Sequence, residues 1–187
     1  MSFERRVRIP AARIGSLVGR AGSAKSGIES ACGVSVEVDS ESGEVVVRGD
    51  LADAASDPFR ASEIVSAVGR GFSPEAAMSI SGESTLHIVD LRDVAGKSRA
   101  QIERVKGRII GERGRARRNM EELSGTRICV YGRTVSVIGH PEAVRVALDA
   151  IGALCAGSMH ASVYRRLEAA RRRQRAERAL LWEGQHV

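Results

Sequence analysis

Aromatic residues are scarce: Phe, Tyr and Trp make up 3% of the 187 residues. That argues against a sheet-borne platform on which bases stack, of the RRM or OB type. Cysteine is scarce too. Cys32, Cys129 and Cys155 lie far apart, with no CxxC and no nearby histidine pair. Neither zinc ligation nor a disulfide framework is expected, and a reduced, intracellular setting fits. No stretch reads as a signal segment or a membrane span, so a soluble, cytoplasmic protein is expected. There is no Ser-His-Asp order, no HExxH, no Walker lysine and no carboxylate pair in a plausible cleft. The Glu121-Glu122 pair reads as a solvated helix face, and His87, His140, His160 and His186 are scattered. No catalytic residue, metal or cofactor is therefore expected, and the chain does not read as an enzyme.

Lysine is the last scarcity. Of 29 Lys and Arg residues, only Lys25, Lys97 and Lys106 are lysine. The net charge is +6 and the sequence pI about 9.9, which suits a polyanionic partner. Arginine makes planar, bidentate contacts to phosphate and stacks on bases. A GC-rich coding sequence would give the same bias without function, and both readings stay open.

What is present is a repeat. Leu17-Val18-Gly19-Arg20-Ala21-Gly22 and Ile109-Ile110-Gly111-Glu112-Arg113-Gly114 are each an apolar pair followed by Gly-x-x-Gly with a basic residue inside. The offset between them is 92 (111 − 19), and at that offset Gly15 matches Gly107, Gly22 matches Gly114 and Gly33 matches Gly125. A repeat of this length is an architectural signal. In the first copy, alternation over Arg6–Ile9 predicts a strand and Pro10 opens a helix over Ala11–Leu17. Ser23 is expected to cap a second helix running to Cys32, with Gly33 as its stop. Val34–Val38 and Val45–Val47 predict a hairpin, and a helix follows Asp57-Pro58 to about Val68. The second copy predicts a strand over Thr85–Val89 and helices over Ser98–Val105 and Arg115–Leu123. It continues with a hairpin around Gly132-Arg133 and a helix from Pro141 to about Cys155. The order is β-α-α-β-β-α twice. A basic helix follows, and Glu183–Val187 are expected to fray. The domains expected are 1–71, a connecting helix or linker at 72–83, a second domain at 84–156 and a basic helix at 157–187.

Both Gly-x-x-Gly segments fall where one helix ends and another begins. Glycine permits the sharp turn and the close approach of another backbone. Free N–H groups at the start of the second helix, reinforced by the helix dipole, attract an anion. A phosphate fits there, and Arg20 or Arg113 adds a salt-sensitive contact. A single nucleic-acid strand could lie with its sugar-phosphates on the loop and its bases on apolar residues.

This arrangement resembles the KH domain, whose Gly-x-x-Gly loop clamps about four nucleotides. The resemblance covers nearly the whole chain and implies an α+β fold of two type I KH domains packed together, with a C-terminal basic helix. A narrower resemblance rests on Gly107-Arg108-Ile109-Ile110-Gly111, Glu121-Glu122-Leu123-Ser124-Gly125, Val130-Tyr131-Gly132-Arg133-Thr134-Val135 and Gly157-Ser158-Met159-His160-Ala161-Ser162-Val163-Tyr164-Arg165. These segments are similar to the archaeal Pno/Krr family of small-ribosomal-subunit assembly proteins. That resemblance implies binding near the 3′ end of small-subunit rRNA, on the pre-small-subunit particle, alongside the Nob-type endonuclease that matures that end. The RNA-binding residues expected are Gly19, Arg20, Ala21, Gly22, Ser23 and Lys25 in the first copy. In the second they are Arg108, Gly111, Glu112, Arg113, Gly114, Arg115 and Arg118.

Several readings stay paired. Ile14, Val18, Ile28, Val36, Ile110, Met120 and Ile128 are expected to line the grooves, and their periodicity suits a core equally. Glu112 departs from the basic or small residues usual in binding loops. Either Arg108, Arg113, Arg115, Arg117 and Arg118 outweigh it, or it pairs with an arginine in a mainly structural domain. The C-terminal arginines suit RNA phosphates or a partner protein. The competing functions are a protein-interaction scaffold built on KH folds and a general mRNA-binding KH protein.

Overall fold

The computed structural model describes residues 2–183. Of the segment expected to fray, residues 184–187 lie outside the described residues. The chain divides into two units, Met1–Leu86 and His87–Val187.

The first unit opens with β1 (Ser2–Arg8), α1 (Ala11–Val18), a single 3-10 turn at Arg20–Gly22 and α2 (Ser23–Cys32). The hairpin β2 (Ser35–Val38) and β3 (Glu44–Asp50) follows, then α3 (Pro58–Gly69) and the short α4 (Pro74–Ala77). The sheet order is β1-β3-β2, antiparallel throughout, with Arg6 opposite Val46 and Val36 opposite Val47. Alternation sets the faces. Val45 and Val47 are fully buried, and α3 packs on β1 and β3 while also touching α1 and α2. Charged residues from all three strands are linked on the sheet. Arg48 bonds Glu4 at 2.8 Å and pairs with Glu37 at 2.6 Å, and Arg6 pairs with Glu44 at 3.2 Å. Arg48, helped by Arg6, holds the Glu4 carboxyl below the usual carboxylate range.

Helix ends follow side-chain chemistry. Asp57 Oδ1 accepts the Arg60 N–H at 2.9 Å to start α3, with Pro58 in its first turn. Ser73 does the same for Ala76 at the start of α4. The stretch read as a connector is held to the first unit. Phe72, Ala77 and Ile80 are buried, α4 packs on α3, and Arg60 Nε donates to the Ile80 carbonyl at 2.7 Å.

The second unit repeats the plan: β4 (Thr85–Asp90), α6 (Arg99–Ile110), a 3-10 turn at Glu112–Gly114 and α7 (Arg115–Ser124). The hairpin β5 (Arg127–Tyr131) and β6 (Thr134–Gly139) and the long α8 (Pro141–Cys155) complete it, in the sheet order β4-β6-β5. Two elements are added. A short α5 (Leu91–Ala95) precedes α6, capped by Asp90. The final α9 (His160–Glu183) packs on α7 and α8, placing Val163 and Leu167 in the same core as Ile109, Met120, Ile128 and Leu154. The beginning of the basic helix is thus part of the second unit's interior. Each unit is a mixed α+β body of the type I KH plan.

Candidate nucleic-acid interface

The two Gly-x-x-Gly turns have nearly the same backbone. Gly19 has φ 75° and ψ 179°, and Gly111 has 69° and 177°. Ala21 and Arg113 have φ of 50° and 51°, the two non-glycine residues with positive φ among the described residues. The left-handed region costs an L-residue about 1–2 kcal/mol, and strain of this kind concentrates at functional turns. Gly22 and Gly114 then lead directly into α2 and α7 in left-handed geometry.

Gly19 and Gly111 are required twice over. Besides the positive φ, a Cβ on Gly19 would sit 2.7 Å from Ala24 Cβ and 2.7 Å from its backbone nitrogen. One on Gly111 would meet Ala116 at 2.6 and 2.8 Å. Both turns are closed by the same bonds, Gly19 N–H to Gly15 O at 2.9 Å and Gly111 N–H to Gly107 O at 2.8 Å. The chain therefore reverses from one helix into the next within four residues.

This geometry leaves the starts of α2 and α7 without side-chain caps. Their N-cap residues are Gly22 and Gly114, which have no side chain to offer. Ser23, expected as a cap, is instead the first helical residue of α2, at φ −61° and ψ −40°. A capping residue needs extended backbone to turn its oxygen onto the N–H groups ahead. The Ser23 and Arg115 N–H groups donate to the Arg20 and Glu112 carbonyls within the turns. The amides that follow them in the first turn of each helix are available to an anion, with the positive end of the dipole behind them.

The charges around the turns differ. Arg20, Glu112, Arg113, Arg115 and Arg118 are exposed. The basic residue occupies the first variable position in one turn and the left-handed second position in the other. Arg118 Nη2 donates to the Arg113 carbonyl at 3.0 Å and braces the second turn. Glu112 forms no ion pair among the described residues, so the pairing with an arginine considered for it is not observed.

Other expected residues sit differently. Lys25 lies 3.5 Å from Glu29, one helical turn on. Arg108 is a strut: its Nε donates to Leu154 O at 3.0 Å and its Nη2 to Ser158 O at 2.5 Å. Two of its nitrogens are thereby occupied, so it acts on the turn by fixing the end of α6. Among the expected groove residues, Ile28 and Met120 are 0% exposed and Val36 and Ile128 1%, while Ile14 is buried at 8%. They are core, because each lies on the inward stripe of its helix or strand. Val18 and Ile110, half-buried beside the turns, are left as apolar surface.

The sequence reading missed a supporting frame that obeys the same offset of 92. Glu29 Oε1 accepts the Val36 N–H at 2.8 Å, and Glu121 Oε1 accepts the Ile128 N–H at 2.7 Å. Lys25 and Arg117 are matched partners of those glutamates. The signal was in the sequence, since Ala24, Lys25, Glu29 and Val36 align on Ala116, Arg117, Glu121 and Ile128. Among the described residues, no group of three or more His, Cys, Asp or Glu could hold a metal ion, and no helix is long and apolar enough to cross a membrane. Burial raises the Cys32 and Cys155 thiols above their ordinary range.

Residues 4–57 match the KH domain model, and residues 85–172 match that of the second KH domain of PNO1, described as a eukaryotic-type, type I KH domain. A KH domain-containing protein from Methanocaldococcus jannaschii is 39% identical over 181 residues, covering 95% of this chain and 78% of that protein. The pre-rRNA-processing protein pno1 of Schizosaccharomyces pombe is 30% identical over 60% of this chain, which spans 48% of that longer protein. Among solved structures, a protein of unknown function from Aeropyrum pernix superposes with TM-score 0.89 at 37% identity, covering 98% of both chains. A chain from the a/eIF2alpha–aDim2p–rRNA complex of Pyrococcus horikoshii superposes with TM-score 0.84 at 40% identity, covering 91% of this chain and 95% of that one. The chain belongs to the KH RNA-binding family, in the two-KH group of Pno1 and Dim2p.

Proposed function

We propose that this protein binds single-stranded RNA through its two Gly-x-x-Gly turns and serves small-ribosomal-subunit biogenesis, acting on the 3′ region of small-subunit rRNA. The observation that carries the reading is the duplicated turn: a strained left-handed residue, a glycine pressed on an alanine, and an uncapped helix start, each present twice. Phosphates sit on the free amides of α2 and α7, with Arg20, Arg113, Arg115 and Arg118 adding charge. Gly19, Ala21, Gly22, Gly111 and Gly114 supply backbone, and Val18 and Ile110 supply apolar surface for sugars and bases. Each turn accounts for about four nucleotides. That one relative is named a pre-rRNA-processing protein and another was solved in a complex with rRNA supports the ribosomal part.

The work is recognition and positioning rather than catalysis. A short rRNA segment is held and its cleavage site is presented to, or shielded from, the Nob-type endonuclease on the pre-small-subunit particle. Ultraviolet crosslinking in cells, followed by mapping of the linked nucleotides, tests this. Crosslinks concentrated at the 3′ end of small-subunit rRNA are expected; crosslinks scattered over mRNA would refute the ribosomal assignment.

A further inference from the structure

The most basic element of the chain lies outside the turns. From His160 to Glu183, α9 carries seven arginines against three glutamates, a net +4 of the chain's +6. Its first half is fixed to the second unit, with Val163 and Leu167 1% and 2% exposed. Its base is tied to the end of α6, three residues before Gly111. There His160 Nε2 donates to the Arg108 carbonyl at 2.8 Å while the Arg108 side chain holds Leu154 and Ser158. Farther along, Arg175, Ala176, Glu177, Ala179 and Leu180 are all exposed.

Val163, Leu167, Ala170 and Gln174 mark the inward stripe. Arg165 and Arg172 fall opposite it, and Arg166 and Arg173, also exposed, stand on the flank toward α8, where they line a groove shared with Arg145 and Asp149. The four α9 arginines form two pairs seven residues apart, about 10 Å along the axis. None of the four makes an ion pair among the described residues, although Glu168 and Glu177 stand one turn from Arg172 and Arg173. A polyanion relieves the mutual repulsion of such a row of exposed like charges. The four are interleaved with no aromatic side chain, so this face offers phosphate contacts and no base stacking. A helix of 24 residues, about 36 Å long, suits a row of phosphates, and double-helical RNA is recognised mainly through its shape and backbone.

We propose that the arginine face of α9 binds the sugar-phosphate backbone of double-helical RNA flanking the single strand held at the second turn. The inference rests on the RNA-binding reading above.

The test uses the full chain with Arg165, Arg166, Arg172 and Arg173 all changed to Gln, on three RNAs: a short single strand, the same strand joined to a hairpin, and the hairpin alone. The variant is expected to lose on the order of tenfold in affinity for both hairpin-bearing RNAs and to keep its affinity for the single strand. Its salt slope on the hairpins should flatten by up to about 3.6, at roughly 0.9 for each of the four phosphate contacts removed. The half-variants Arg165→Gln/Arg166→Gln and Arg172→Gln/Arg173→Gln should each show about half the slope change, a division that a folding defect would not produce. Unchanged affinity and slope on the hairpins would overturn the proposal and leave the face to a partner protein. Failure of the wild type to bind the short strand would instead count against the turns, because the hairpin alone still reads α9.

Discussion

The carboxylate of Glu121 on α7 accepts the backbone N–H of Ile128 on β5 at 2.7 Å. β5 is an edge strand of its sheet, and this N–H has no strand partner on that side. The glutamate satisfies it and fixes the spacing between α7 and the hairpin, as Glu29 does for Val36 in the first unit. An edge N–H closed by a side chain is also closed to pairing with another chain.

Glu121→Ala is therefore expected to destabilise the protein by about 1–3 kcal/mol, the usual cost of orphaning a largely buried donor. Glu29→Ala should cost a similar amount through the first unit. Urea unfolding curves read both. A loss below about 0.3 kcal/mol in each would show that water replaces the carboxylate without penalty and that the repeated bond is incidental.

The two glycines of each turn should respond unequally to alanine. At Gly22 a Cβ meets nothing within 4 Å, so Gly22→Ala pays only for its left-handed backbone, about 1 kcal/mol. At Gly19 the Cβ would strike both Ala24 Cβ and the Ala24 nitrogen at 2.7 Å, and Gly19→Ala should cost about 3 kcal/mol or more. Adding Ala24→Gly removes one clash and leaves the backbone one, so it should restore less than half. Equal melting temperatures for Gly19→Ala and Gly22→Ala would contradict the close approach.

The turns were legible because their requirements are local. Glycine spacing, the apolar pair and the 92-residue offset named both Gly-x-x-Gly segments and the helices around them. Boundaries near glycine were less legible. The helix expected to stop before Gly107 runs on to Ile110, since an interior glycine costs only about 1 kcal/mol and the Gly107 carbonyl is then used to accept Gly111 N–H. α5 escaped notice because five residues are too few to show a period. The burial of Ile28 and Met120 and the strut role of Arg108 depend on what other elements place opposite them, which no local pattern carries. The Glu29 and Glu121 bonds lie between these extremes: nonlocal in origin, yet visible as a repeated pair once the two copies are aligned.

Charge in the turns should set affinity without disturbing the fold. Asp replaces Arg20 and Ala21 at little structural cost, because Arg20 is exposed and Asp tolerates the left-handed backbone of position 21 better than most residues. Arg20→Asp/Ala21→Asp is expected to lower affinity for a short single strand by at least about tenfold and to flatten its salt dependence. Glu112→Gln works in the opposite direction, removing an unpaired carboxylate from beside the second phosphate site. It should raise affinity a few-fold, with no change in melting temperature beyond about 1 °C. Filter binding over a range of salt concentrations checks both. An increase with Glu112→Gln and no loss with the Asp pair would mean that only the second turn holds RNA.

Arg108 tests whether the second turn is held from behind. Its guanidinium spans the carbonyls of Leu154 and Ser158, which lie at the end of α8 and just beyond it. In the first unit Arg13 performs the same task from a different position, reaching Val68 O at 2.8 Å and Phe72 O at 2.6 Å. The two arginines do not align at the offset of 92, so each unit meets separately the demand to cap the helix that follows its hairpin. Lysine keeps the charge at position 108 but lacks the planar fork that serves two carbonyls at once. Arg108→Lys should cost about 1–2 kcal/mol, with faster hydrogen exchange at the amides from Leu154 to Val163. In Arg108→Gln, which removes the charge as well as the fork, binding of a short strand should fall only in proportion to the loosened turn and with an unchanged salt slope, since a strut that touches no phosphate releases no counterion. A slope flattened by about 0.7 would instead place Arg108 directly on the RNA.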